Sequence, residues 1–223
     1  MIVAMLLAAQ VVAATPAPQT AIDAGPARSA IDAERAFAAE AQARGQWTAF
    51  KAWSTPDALM FTPQPVKAHD FLKNSKDPPI AVFWWPGASY VSCDGSVAIN
   101  TGPWVREWGK SVGYFTTVWV RQPDGGWKWI YDGGDTLRVP RAQGGDIRPR
   151  VAACATPRPL PPAVEAATAA GRNAKSAEGR SKDGTLRWQW TVKPDGTRDM
   201  IVRMWAAIGW QVVVNDHVAA PPE

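Results

Sequence analysis

Residues 112–132 read Val-Gly-Tyr-Phe-Thr-Thr-Val-Trp-Val-Arg-Gln-Pro-Asp-Gly-Gly-Trp-Lys-Trp-Ile-Tyr-Asp. Two runs rich in β-branched and aromatic residues flank Pro123-Asp124-Gly125-Gly126, the composition of a hairpin turn. In the first run Val112, Tyr114, Thr116, Val118 and Val120 fall on one face of a strand. In the second, Trp127, Trp129 and Tyr131 share a face. The alternation predicts strands over 112–121 and 127–132, with Asp132 closing the second before Gly133-Gly134.

Upstream, a second hairpin pairs 88–93 with 96–104 around Asp94-Gly95. Before the hairpins the pattern is helical. Ser29 precedes Asp32 by three residues, an N-cap with a carboxylate in the first turn. Ile31, Phe37, Ala38 and Ala41 follow near helical spacing, and Gly45 is the stop. A shorter helix over 46–53 must end before Pro56. A short strand over 58–61 and a short helix over 68–74 complete this part. Trp84-Trp85-Pro86-Gly87 is either a lid over a cavity mouth or a buried connector, with a cis Trp85–Pro86 bond open to it.

Downstream, 140–162 is a Pro/Arg-rich connector, and Ala163–Ala170 suits a short helix after Pro161-Pro162. Residues 171–184 read as polar and mobile. Leu186, Trp188, Trp190 and Val192 then alternate with polar residues, and two further strands follow over 200–205 and 210–215. Such a meander has one apolar face and needs something to bury it. The boundaries are therefore 1–14, a leader; 15–27, a linker; 28–140, the main domain; 141–184, the connector; and 185–217, a three-stranded meander packed on the main domain.

At 46 % apolar and 20 % charged, the 223-residue chain supports a packed core. Thirteen tryptophans point to aromatic-rich sheets or a lined cavity. The net charge of +4 is spread without a Lys/Arg run, which argues against nucleic-acid binding. Ile2–Val12 is apolar except for Gln10, and Val12-Ala13-Ala14 places small residues at a cleavage site. That pattern reads as a secretory leader cleaved near Ala14, too short for a membrane span, and it predicts a periplasmic or secreted protein. In an oxidising compartment Cys93 and Cys154 would form a disulfide. The bridge would close a loop of about 60 residues, worth on the order of 4 kcal/mol in the loop-entropy model. Two Cys and two His, His69 and His217, show no metal-ligand spacing. No Gly-rich phosphate loop precedes a helix, so no cofactor is expected.

Helix, helix, short strand, helix and then antiparallel hairpins is the element order of the nuclear transport factor 2-like (SnoaL-like) superfamily, which this chain resembles. Local matches are Glu34-Arg35-Ala36-Phe37, Asp57-Ala58-Leu59-Met60-Phe61, Asn100-Thr101-Gly102-Pro103-Trp104, Tyr114-Phe115-Thr116-Thr117-Val118-Trp119 and Asp124-Gly125-Gly126-Trp127-Lys128-Trp129. They span roughly residues 28–135 and leave the tail outside. The resemblance implies an α+β cone: N-terminal helices wrapped by a curved, mainly antiparallel sheet, here with the C-terminal three-stranded antiparallel meander added. It also implies a conical pocket, and dimerisation through the sheet's outer face, where Phe115, Thr117 and Trp119 lie if Tyr114 points inward. The superfamily's catalytic groups follow no single motif, so none is carried over.

The pocket candidates are Trp104, Tyr114, Trp129, Tyr131 and Asp132. Asp132 is a general acid or base if apolar walls raise its pKa; an exposed strand-end carboxylate is the plainer reading. Tyr114 is either a donor to a ligand oxygen or a wall tyrosine with its hydroxyl satisfied nearby. His69 reads as an exposed first-turn residue. His217, beside Asp216, is discounted because neighbouring strand residues face opposite ways. Three functions remain: a binding protein for a small apolar molecule; an isomerase, dehydratase or hydrolase using Asp132 with Tyr114; and an interaction module whose cone is filled by side chains.

Overall fold

The structure is a computed structural model that describes residues 29–142, 147–158 and 173–222. The expected leader, the 15–27 linker and the Ala163–Ala170 helix lie outside the described residues.

Helix α1 (Ala30–Arg44) starts where Ser29 Oγ accepts the Asp32 amide, 3.1 Å away, and stops at Gly45 with φ 109°. Helix α2 (Gln46–Trp53) has no cap of its own. The Asp77 carboxylate supplies it by accepting the Trp47 and Thr48 amides at 2.5 and 3.0 Å. Strands β1 (Ser54–Phe61) and β2 (Pro65–Lys67) and helix α3 (Ala68–Leu72) follow. Strand β1 begins at Ser54 rather than Ala58, and Pro56-Asp57 bulges outward where its register on β7 shifts. Among the described residues the cis proline bond is Thr62–Pro63, not Trp85–Pro86.

The remaining strands of the first sheet are β3 (Phe83–Trp84), β4 (Ala88–Val91), β5 (Val97–Arg106), β6 (Ser111–Arg121), β7 (Trp127–Leu137) and β8 (Arg150–Val151). The order is β2-β1-β7-β6-β5-β4-β8, with β3 also on β5. The β1–β7 and β4–β8 pairs are parallel and the others antiparallel, so this eight-stranded, curved sheet is mixed. The architecture is thus α+β, with a second, four-stranded antiparallel sheet in the order β12-β11-β10-β9.

That second sheet is the tail, and it has four strands where three were expected. Strands β10 (Leu186–Val192), β11 (Arg198–Ala206) and β12 (Gly209–Val218) form the expected meander. The addition, β9 (Lys175–Arg180), comes from the stretch read as mobile. It is an edge strand exposed on nearly every residue, so it carries no apolar alternation to betray it.

The large sheet is buried on both faces. One face holds the helices around Phe37, Phe50, Trp84, Trp119 and Trp129. Phe37 sits at the centre, 4.8 Å from both the Phe50 and Trp84 rings. The other face packs Ile99, Val118 and Tyr131 against Leu186, Trp188, Trp190 and Met200 of the second sheet. This inverts the expected placement of β6. Phe115, Thr117 and Trp119 turn toward the helices, and Tyr114 turns toward the second sheet. The face expected to form a dimer is covered by the tail.

Two turns of similar sequence join the sheets. Ser92-Cys93-Asp94-Gly95-Ser96 and Ser181-Lys182-Asp183-Gly184-Thr185 cap each other: the Asp94 amide donates to Asp183 Oδ2 at 2.9 Å, and the Asp183 amide to Asp94 Oδ2 at 3.0 Å. The Cys93 amide donates to Thr185 Oγ1 at 3.0 Å. Cys93 is bonded to Cys154, 61 residues away, and the Ala153 amide donates to the Trp205 carbonyl at 2.9 Å. The bridge thus ties the connector to the junction of both sheets. A Cys93→Ser/Cys154→Ser double variant should lose on the order of 4 kcal/mol of stability in urea denaturation. An unchanged unfolding midpoint would contradict this role.

Candidate functional site

Strand β7 passes through the expected turn. It continues over Gly133-Gly134-Asp135 to Leu137, with Gly134 opposite Phe115 and Gly133 opposite Thr116. Asp132 is therefore inside a strand and not at its exposed end. A bulge decides which way it points. Trp119 pairs with Trp129 and Val118 with Tyr131, leaving Ile130 as the extra residue. Beyond the extra residue the alternation reverses. Trp127 and Trp129 face the helices, Tyr131 faces the second sheet, and Asp132 faces the helices again, where Thr117 Oγ1 donates to it at 2.7 Å.

Asp132 borders a cavity of about 320 Å³ at the edge of the helix–sheet space. Its walls are Trp47, Phe50, Met60, Trp84, Trp104 and Phe115. Gln46, Arg106, Asp132, Asp135 and Arg198 form the polar part of its lining. Asp132 keeps partial exposure toward the cavity, yet protein surrounds its carboxyl. Burial pushes its pKa up to about 6, against the Thr117 hydrogen bond and the Arg198 charge.

Of the five expected pocket residues, Trp104, Tyr114 and Asp132 line the cavity. Trp129 is fully buried behind the wall, and Tyr131 lies on the opposite face beside Phe61, with ring centroids 5.0 Å apart. Asp132 and Tyr114 do not converge, because Thr117 and Tyr114 stand on opposite faces of β6. The Tyr114 ring lies 3.9 Å from the Arg141 guanidinium, and burial pushes its hydroxyl up. That hydroxyl has no partner among the described residues, contrary to the expectation of a satisfied wall tyrosine.

His69 is half-buried rather than exposed, with Nε2 2.9 Å from Ser54 Oγ. The Ser54 hydroxyl also reaches the Lys51 carbonyl at 3.1 Å, which ties the pair to the end of α2. His217 meets Asp199 across the β11–β12 ladder at 2.6 Å, on the surface. Asp216 turns the other way, into the sheet interface, where it accepts from Thr116 and Arg141. Among the described residues no His, Cys, Asp and Glu cluster could hold a metal, and no helix is long and apolar enough to cross a membrane.

Glu34 is the acid that the sequence reading passed over. It is completely buried in α1. Its Oε1 accepts the Trp84 indole N–H at 2.9 Å, and its Oε2 accepts Trp119 Nε1 at 2.7 Å and Asn100 Nδ2 at 3.2 Å. Burial raises its pKa to about 7 despite these donors, and the Asp132 charge adds to the rise. Glu34 does not line the cavity but fixes Trp84, which does. The signal was available: Glu34 stands three residues from both Ile31 and Phe37, on the apolar stripe of the helix. The chain matches no protein-family model and no curated protein.

Both raised acids bear on stability with the same sign. Between the unfolded value of 4.5 and about 7, folded Glu34 keeps a proton that the unfolded chain releases. Asp132 does so between 3.8 and about 6. The contribution of these two acids is therefore greatest below this window and falls as pH rises through it, by on the order of 3 kcal/mol from Glu34. Glu34→Gln should flatten that fall by at least half in urea titrations between about pH 5 and 7.5. The variant should also be less stable overall, because its amide nitrogen confronts an indole N–H. A wild-type stability that is level across the window would contradict this assignment.

Proposed function

We propose that this chain is an exported protein of the nuclear transport factor 2-like kind that binds one small, largely apolar molecule in the aromatic cavity. Asp132 and Trp104 are its contacts. The observation that carries this reading is the cavity itself. About 320 Å³ is many times the roughly 30 Å³ share of one water and falls at the lower end of ligand-site volumes. A fold filled by its own side chains would leave no such space. The family reading is supported by the helix pair ahead of the sheet and by hairpins that return to β1 through a parallel β1–β7 pair. The Cys93–Cys154 bridge supports export, since such bonds persist in oxidising compartments.

An acid–base enzyme would need a donor opposite the carboxylate. Tyr114 was that donor, and although it shares the cavity lining it stands on the face of β6 opposite Thr117, which holds Asp132. Binding is therefore preferred over turnover.

N-phenyl-1-naphthylamine, a neutral apolar fluorophore, tests the reading. Wild-type protein should bind it saturably at one site with a blue-shifted emission. Met60→Trp, which adds bulk to the cavity wall, should weaken binding at least tenfold with an unchanged circular dichroism spectrum. Absence of saturable binding to the wild type, or equal binding by the variant, would overturn it.

A further inference from the structure

We infer that the cavity's ligand carries an anionic head, a carboxylate on an apolar aromatic or alicyclic body, and that Arg198 of the second sheet receives it. This rests on the proposed cavity and specifies what enters it.

Arg198 opens β11 and is 5 % exposed. Its guanidinium crosses from the tail to the border of the cavity, 4.5 Å above the Phe61 ring. There Nη2 donates to the Gly134 carbonyl at 2.9 Å. Strand β7 is bare at this point, since a Cβ on Gly134 would lie 2.0 Å from the Tyr114 carbonyl oxygen. A guanidinium has five N–H donors. One serves Gly134, and among the described residues no carboxylate forms an ion pair with Arg198.

A buried cation without a counter-ion is costly, and proteins as a rule pair it. The Asp132 charge acts on Arg198 from nearby, but neither Asp132 nor any other acid among the described residues forms an ion pair with it. Asp132 is held by Thr117, Asp135 accepts the Thr136 amide at 2.7 Å, and Asp216 takes Arg141. The remaining donors of Arg198 border a cavity with six aromatic or thioether walls. An apolar body would lie along those walls while its carboxylate takes a forked pair of N–H bonds from Arg198. Arg106, stacked over Trp104 at 5.4 Å, adds a second positive charge to the cavity lining. The tail meander thus has a function in the site as well as a packing role: it delivers a buried guanidinium, where the main domain offers the exposed Arg106.

The test displaces N-phenyl-1-naphthylamine from the full chain with 1-naphthaleneacetic acid and with its neutral amide, at constant ionic strength. Wild-type protein should favour the acid at least tenfold. In Arg198→Gln, acid and amide should come within twofold of each other while the fluorophore still binds. Equal potency on wild type, or an undiminished preference in Arg198→Gln, overturns the assignment. Should the Gln variant fail to fold, Arg198→Lys decides. It keeps the charge but loses the fork, so the preference should fall at least threefold, and an unchanged preference overturns the inference. If the fluorophore does not bind wild-type protein, the cavity reading fails and this inference falls with it. If the fluorophore binds and the acid shows no advantage, only the head-group assignment fails.

Discussion

One extra residue in β7 sets the arrangement of this protein. Were Ile130 paired in regular alternation and not bulged, the pattern begun at Trp127 would carry Tyr131 into the helix-side core and turn Asp132 toward the second sheet. With it, two tryptophans and a carboxylate share the helix face, and a tyrosine joins the inter-sheet core. Because both faces of the large sheet are buried, neither orientation is free to drift. The bulge thus fixes the position of Asp132, one of the two acids that border the cavity.

The helix-side core has a polar centre. Glu34 collects two indole N–H groups and an amide from three different strands, β3, β6 and β5. A fully buried carboxyl is an expensive way to join them, and its raised pKa is the measure of that cost. The result is a rigid aromatic wall: Trp84 is held at both its indole nitrogen and its ring edge against Phe37. A cavity bounded by such a wall stays open because the wall has nowhere to collapse. The tail closes the opposite face, clamped by the reciprocal Asp94–Asp183 turns and the disulfide.

Much of this was legible from residue order. Ser29, Asp32 and Gly45 marked α1, the Asp-Gly pairs marked their hairpins, and the Leu186–Val192 alternation marked the buried face of β10. The misses share a cause. Gly133-Gly134 looked like a turn because glycine in a strand is unusual, yet here it permits close backbone approach. Strand β9 is polar because it is an edge. A bulge leaves no trace in a composition pattern, so Tyr131 was grouped with Trp127 and Trp129. Glu34 and Arg198 were each hidden by the prior that charged residues face water, a prior that their burial in this structure breaks.

The most direct measurement is a crystal structure of the protein with N-phenyl-1-naphthylamine bound. The account predicts the ring system between Trp47, Trp84 and Trp104, with Asp132 and Arg198 at its polar edge. Density for the fluorophore on the outer surface, with the cavity closed by the same side chains, would contradict it.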